Sequence, residues 1–218
     1  MIDLHTHSLF SDGELVPSEL VRRSEYLGYS AIAITDHIDS SNIDLIIPRI
    51  VQVAKDLNRH QSVKVIPGAE LTHVPPDLIG LLVKRARELG ARVVIIHGET
   101  ITEPVVEGTN RAGLEAGADI LAHPGLLTPE DAGLAAEKGV YLEISARSGH
   151  SLTNGHVARL AQATGSRPIL NSDAHAVSDL LSEDFARKIV EGAGLPSGSV
   201  SNILSNAQEL LEKIGYPV

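Results

Sequence analysis

The sequence predicts a parallel α/β barrel, and three features carry that prediction. Short β-branched runs alternate with longer amphipathic stretches in units of roughly 20–35 residues, the rhythm of right-handed strand–helix–strand crossovers. The runs are almost wholly apolar, as strands covered on both faces must be. Ionisable side chains follow nearly every run on its C-terminal side. An open sheet would gather its ligand groups at one switch point, whereas a barrel draws them from strand ends all round the ring.

The first run, residues 2–7, reads as a strand leading into the turn residues Ser11, Asp12 and Gly13. Side chains two apart on a strand share a face, so His5 and His7 project together. At this point the pair is either two exposed polar residues near a terminus or half of a metal site. Pro17 suits the first turn of the helix that follows, and Gly28 suits its end. The second strand, 31–35, ends in Asp36 and His37; the third, 63–70, ends in Glu70, with His73 three residues on. Residues 75–90 repeat the proline-to-glycine grammar of a helix. Strand four, 92–97, ends in His97 and strand five, 118–123, in His123; Thr128 is a candidate N-cap for the helix running to Gly139. Strand six, 140–145, carries Glu143, with Arg147 just beyond it. Strand seven, 167–172, leads to Asp173 and His175, one residue apart like the opening pair. Residues 201–215 form an amphipathic pattern, with a cap expected near Ser199 or Ser201, that closes over the barrel. His60, at the end of a helix, reads as a surface histidine.

Composition narrows the function. The 218 residues, 43% hydrophobic and without a compositional break, fit one domain spanning 1–218. A net charge of −10 and 3% aromatic residues give little to grip a polynucleotide, so a nucleic-acid partner is not expected. The absence of cysteine removes disulfides, thiolate ligands and thiol nucleophiles. Without a signal-peptide pattern or a membrane-length apolar run, a cytoplasmic location and no membrane partner are expected. No pattern sets the oligomeric state.

Imidazoles and carboxylates converging on one barrel rim need cations between them. Nitrogen and oxygen donors without sulfur suit Zn, Mn, Fe or Co, and so many histidines argue against Mg or Ca.

The motifs HTHS…SDG, TDH, GAE, HGE, AHPG and NSDAH, in this order at strand ends, resemble those of the polymerase and histidinol phosphatase (PHP) superfamily. The resemblance spans residues 2–175 and implies a minimal PHP domain, a distorted (β/α)7 TIM-like barrel with three divalent metal ions at its C-terminal rim. It implies that His5, His7, Glu70 and Asp173 hold one ion, and Asp12, His37 and His175 a second. His97 and His123 hold the third, with Glu70 bridging from the first. Asp12 stands where several members have histidine, a change that bears on metal preference. No ligand position is missing, which argues against a non-catalytic copy.

The implied activity is hydrolysis of a small phosphomonoester, histidinol phosphate-like. Three dications against three carboxylates leave about +3 in the pocket, a trap for a phosphate dianion. Close metal ions lower the pKa of a shared water toward ~7 and present hydroxide as the nucleophile. Arg147 is the expected cation on the phosphate, its alternative being an exposed loop arginine. His73 and His150 are candidate substrate contacts or proton donors; His156, after a turn at 153–155, reads as structural. Asp36, Glu99 and Glu143 suit the orientation of ligand imidazoles, or are ordinary acids. Two other readings use the same metals: a phosphodiesterase or 3′–5′ exonuclease on nucleotides or short oligonucleotides, and a non-catalytic metal-stabilised domain.

Overall fold

The computed structural model describes residues 1–196 and 198–218. Among the described residues, eight parallel strands alternate with helices in chain order, except that the second and third follow each other without a helix between them. They are β1 (Ile2–Asp3), β2 (Ala31–Ile34), β3 (His37–Ile38), β4 (Lys64–Leu71), β5 (Val93–His97), β6 (Ile120–Ala122), β7 (Tyr141–Ser145) and β8 (Pro168–Asn171). The helices are α1 (Pro17–Tyr26), α2 (Ile43–Leu57), α3 (Pro76–Glu88), α4 (Thr109–Glu115), α5 (Pro129–Lys138), α6 (Asn154–Thr164), α7 (Glu183–Gly192) and α8 (Ser199–Lys213). The ring runs β1-β2-β4-β5-β6-β7-β8, the seven strands expected, while β3 pairs with the far half of β4. Between β8 and β1 the ring is drawn together by a single bridge, Thr6 with Ala174. Side chains help: Asn171 Oδ1 accepts from the Leu4 N–H and Asp3 Oδ1 from the Ser172 N–H.

Strand alternation divides the apolar residues into two layers. Leu4, Ala31, Ala33, Ile66, Val93, Ile95, Ile120 and Ile169 fill the barrel. Ile32, Ile34, Val65, Val94, Ile96, Leu121 and Leu142 face outward into the helical layer. The N-terminal mouth is stopped by α8, whose Ala207, Leu210 and Leu211 join the inner layer. That agrees with the expected closure. The N-cap of α8 is Gly198, which brings no side-chain cap, and the Ser201 hydroxyl donates to the Gly198 carbonyl. The Thr128 cap is present, accepting from the Asp131 N–H.

Two local features differ from the sequence reading. Regular pairing in the first strand stops at Asp3, because the chain bends across the rim to reach Ala174. The extra strand β3 exists because β4 is eight residues long, pairing with β2 through its first half and with β3 beyond it. The result places His37 in register with Glu70.

Candidate metal centre

The C-terminal ends of the strands meet in one patch of imidazoles and carboxylates. All nine residues of the expected set, His5, His7, Asp12, His37, Glu70, His97, His123, Asp173 and His175, fall into clusters whose donor atoms lie within 4.8 Å of one another. His5, His7 and Glu70 lie at the bottom, fully buried, while Asp12 stands at the mouth. Over them opens a cavity of about 250 Å³ walled in part by His73, Arg147 and His150.

The backbone is shaped to bring these groups together. The loop carrying Asp12 is knotted around the buried Asp36 carboxylate, which accepts from the N–H and hydroxyl of both Ser8 and Ser11. A Cβ on Gly13 would stand 2.4 Å from the His7 carbonyl oxygen, so only glycine lets the loop close there. His73, His123 and Asp173 have φ of 51°, 28° and 54°, the left-handed region that non-glycine residues avoid. Strain of that kind, ~1–3 kcal/mol per residue, persists where surrounding structure imposes it.

The spacing of the donors is informative. His7 Nε2 lies 3.1 Å from Asp173 Oδ1 and 3.6 Å from Glu70 Oε2; His5 Nε2 lies 3.4 Å from Glu70 Oε1. Asp12 Oδ1 lies 3.5 Å from His37 Nε2 and 3.1 Å from His175 Nε2. His123 Nε2 lies 3.6 Å from Glu70 Oε1 and 3.7 Å from Asp173 Oδ2. Donors bound at 2.0–2.2 Å to one tetrahedral ion stand about 3.3–3.6 Å apart, so these separations match edges of coordination polyhedra. The buried His5 Nε2, both ring nitrogens of His7 and Glu70 Oε1 have no hydrogen-bond partner. Buried polar atoms are normally satisfied, and cations between these atoms would satisfy them. The residues fit the ions that the motifs imply.

Electrostatics agree. Burial would raise Glu70 and Asp173, but the surrounding imidazoles outweigh it and hold both well below the carboxylate range. Burial would lower His5, yet Glu143, Glu70 and Asp173 raise it well above the ordinary histidine value. His7 is driven down by burial to about 3 and stays neutral. Ionised carboxylates and the neutral His7 suit a cation as ligands, whereas His5 holds a proton that an ion must displace.

The supporting acids divide. Glu143 accepts from Asn171 and the His123 N–H and lies 2.8 Å from His5 Nδ1, turning His5 Nε2 toward the cavity. Glu99 instead ties down its own loop through the Gly108 and Asn110 N–H groups. Arg147 reaches the mouth, 2.8 Å from His175 Nδ1, and donates to the Asp173 carbonyl. His150 is buried with its Nδ1 against Thr100 Oγ1, and burial lowers it to about 4; His73 is 42% exposed at the rim. His156 binds the Leu127 carbonyl away from the cavity, and His60 is exposed. Glu103 was missed from the sequence: it follows no strand end, yet lies 3.2 Å from His97 and 3.3 Å from His73.

The PHP domain model matches residues 3–214. An uncharacterized protein of Methanocaldococcus jannaschii is 45% identical over 215 residues, 97% of this chain and 99% of that one. Ribonuclease P protein component 3 of Methanosarcina mazei is 29% identical over 94% of this chain and 86% of that one. The Bacillus subtilis DNA polymerase/3′–5′ exonuclease PolX is 26% identical over 82% of this chain but only 35% of its own length. Among solved structures, a chain of archaeal ribonuclease P with mature tRNA superposes with a TM-score of 0.75 at 17% identity, covering 99% of this chain and 92% of that one. The Lactococcus lactis histidinol phosphate phosphatase, complexed with Zn, L-histidinol and phosphate, gives 0.62 at 18% identity over 89% and 94%. The likeness to ribonuclease P component 3 is in tension with the expectation, drawn from net charge and low aromatic content, that nucleic acid is no partner.

Proposed function

Because the chain belongs to the PHP domain family, most of whose members are metal-dependent hydrolases, we propose that it is a metal-dependent phosphoesterase acting on a small phosphomonoester. The observation that carries this reading is the convergence of nine donor residues on one rim, with buried donor atoms left unpartnered. His5, His7, Glu70 and Asp173 would hold one ion, Asp12, His37 and His175 a second, and His97 and His123 the third. Ions bound there supply a water that ionises near neutral pH and positive charge against the phosphate oxygens.

The remaining work falls to the chain's own side chains. The Arg147 guanidinium, 32% exposed at the mouth, binds two phosphate oxygens and fixes the ester's orientation. His73 Nε2, on the open side, gives a proton to the departing alkoxide. His150 does not suit that task, since burial keeps its imidazole neutral. A neighbouring cavity of about 390 Å³ shares Arg147 and presents Ser148, Ser178 and Phe185, room for a small polar leaving group.

Turnover of p-nitrophenyl phosphate, bis-p-nitrophenyl phosphate, histidinol phosphate and a short oligonucleotide, on one preparation purified without chelator, tests the reading. Monoester turnover that falls about 10²–10³-fold in Arg147→Ala is expected, the cost of losing one oxyanion-type donor. Turnover of the diester or oligonucleotide alone would replace the reading by a phosphodiesterase. An RNA-associated role is the second reading, favoured by 29% identity to a ribonuclease P component over nearly the whole chain. Retention of tRNA on a filter at physiological salt would support it.

A further inference from the structure

Arg147 stands in the wall between two cavities, the one over the donor cluster and a second of about 390 Å³ beside it. Among the described residues, Arg147 is the one cation lining the second cavity and Asp179 the one carboxylate. Leu181 and Phe185 supply an apolar wall, and Phe185, in the first turn of α7, is half exposed.

Asp179 divides its two oxygens. Oδ2 accepts from the N–H groups of His175 and Ala176, at 3.0 and 2.9 Å. Oδ1 receives the Ser178 hydroxyl at 3.3 Å, longer than the usual O–H···O bond, and Ser178 is exposed. Holding the backbone at His175 needs an acceptor, which an amide oxygen also supplies, so that task leaves the charge of Asp179 unused. The carboxylate is 35% exposed, and its Oδ2 lies 3.9 Å from Arg147 Nη1. A phosphate held by Arg147 therefore stands one short carbon chain from Asp179. With the guanidinium engaged by phosphate oxygens, the charge left to face the rest of the substrate is negative.

We infer that Asp179 selects the leaving group. Its Oδ1 receives a hydroxyl or ammonium donor a short chain away from the ester oxygen, and its charge turns away phosphomonoesters that carry a second anion. Leu181 and Phe185 cover the carbon skeleton between those ends. The same carboxylate disfavours an oligonucleotide, whose leaving group brings further phosphates. The inference rests on the phosphomonoester reading proposed above.

The test is kcat/KM of the metal-loaded enzyme on three two-carbon phosphomonoesters of matched size: phosphoethanolamine, 2-hydroxyethyl phosphate and phosphoglycolate. Wild type is expected to turn over the first two faster than phosphoglycolate, and whichever leads identifies the donor as ammonium or hydroxyl. Asp179→Asn keeps an oxygen for the two backbone N–H groups but loses the charge. It should raise phosphoglycolate relative to phosphoethanolamine at least about tenfold, since one gains what the other loses. A purely structural role would not move that ratio. Asp184→Asn, 74% exposed on α7, changes the net charge equally and should leave the ratio within about threefold. Phe185→Lys sets a cation across the same cavity without touching the loop. It should shift the ratio in the same direction, and it carries the test if Asp179→Asn does not fold. A ratio within about threefold of wild type in folded Asp179→Asn, or an equal shift in Asp184→Asn, would overturn the inference and leave the phosphatase reading standing. A wild type that turns over no monoester, p-nitrophenyl phosphate included, would overturn that reading itself.

Discussion

Asp3 is a buried carboxyl at the seam where the last strand meets the first: Oδ1 accepts from the His5 and Ser172 N–H groups, and Oδ2 has no partner. Burial raises its pKa from 3.8 to about 6. The folded chain therefore binds more protons than the unfolded one between those values, and the stability from this group is lost as pH rises through 6. At pH 7 the ionised form costs on the order of 2–3 kcal/mol. Asp3→Asn keeps the Oδ1 acceptor, so in urea unfolding of the chelator-treated proteins its advantage over wild type should grow from pH 5 to pH 7.5. An advantage that does not change with pH would show that the Asp3 carboxylate is not penalised. The imidazoles make a second prediction at this scale. Burial would lower His5, His37 and His97, but neighbouring carboxylates raise all three, so in the metal-free protein they hold protons that ions must displace. Zn affinity should rise between pH 6 and pH 8, and calorimetry in two buffers of different ionisation enthalpy should register proton release. Binding without proton release would contradict the account.

At the scale of elements, α8 is the stopper of the barrel. Leu210, fully buried in the inner layer, leaves a cavity when truncated, and Leu210→Ala should cost about 2–5 kcal/mol in equilibrium unfolding. A loss under about 1 kcal/mol would mean that α8 lies on the barrel without closing it. This closure was readable because an apolar stripe at helical spacing asks for a partner surface. The seven strands of the ring were readable for the same reason: buried parallel strands announce themselves as short β-branched runs. Strand β3 was not, since two residues carry no period and pair only because β4 is long enough to reach them. Nor were the left-handed conformations of His73, His123 and Asp173, which tertiary contacts impose against local preference. The ligands at strand ends were legible because a barrel puts strand ends in one place. Glu103 was not, for a loop has no periodicity to aim it, and no local signal marks it beyond its being a carboxylate past His97.

For the whole molecule, the global charge of −10 and the local chemistry pull apart. Some surface cations are held in pairs, such as Arg85 with Asp44 and Arg111 with Asp131, and Arg147 supplies a guanidinium at the cavity mouth. Among the described residues, no helix is long and apolar enough to cross a membrane. A pocket of buried, unpartnered donors inside an acidic protein is costly unless cations fill it, and that is the claim on which the rest depends. It is tested most directly by elemental analysis of the protein purified without chelator, beside Glu70→Ala. The account predicts close to three transition-metal ions per chain in the wild type and a clear loss of them in the variant. A wild type that holds no ion, and takes up none from added Zn, Mn or Fe, would contradict it.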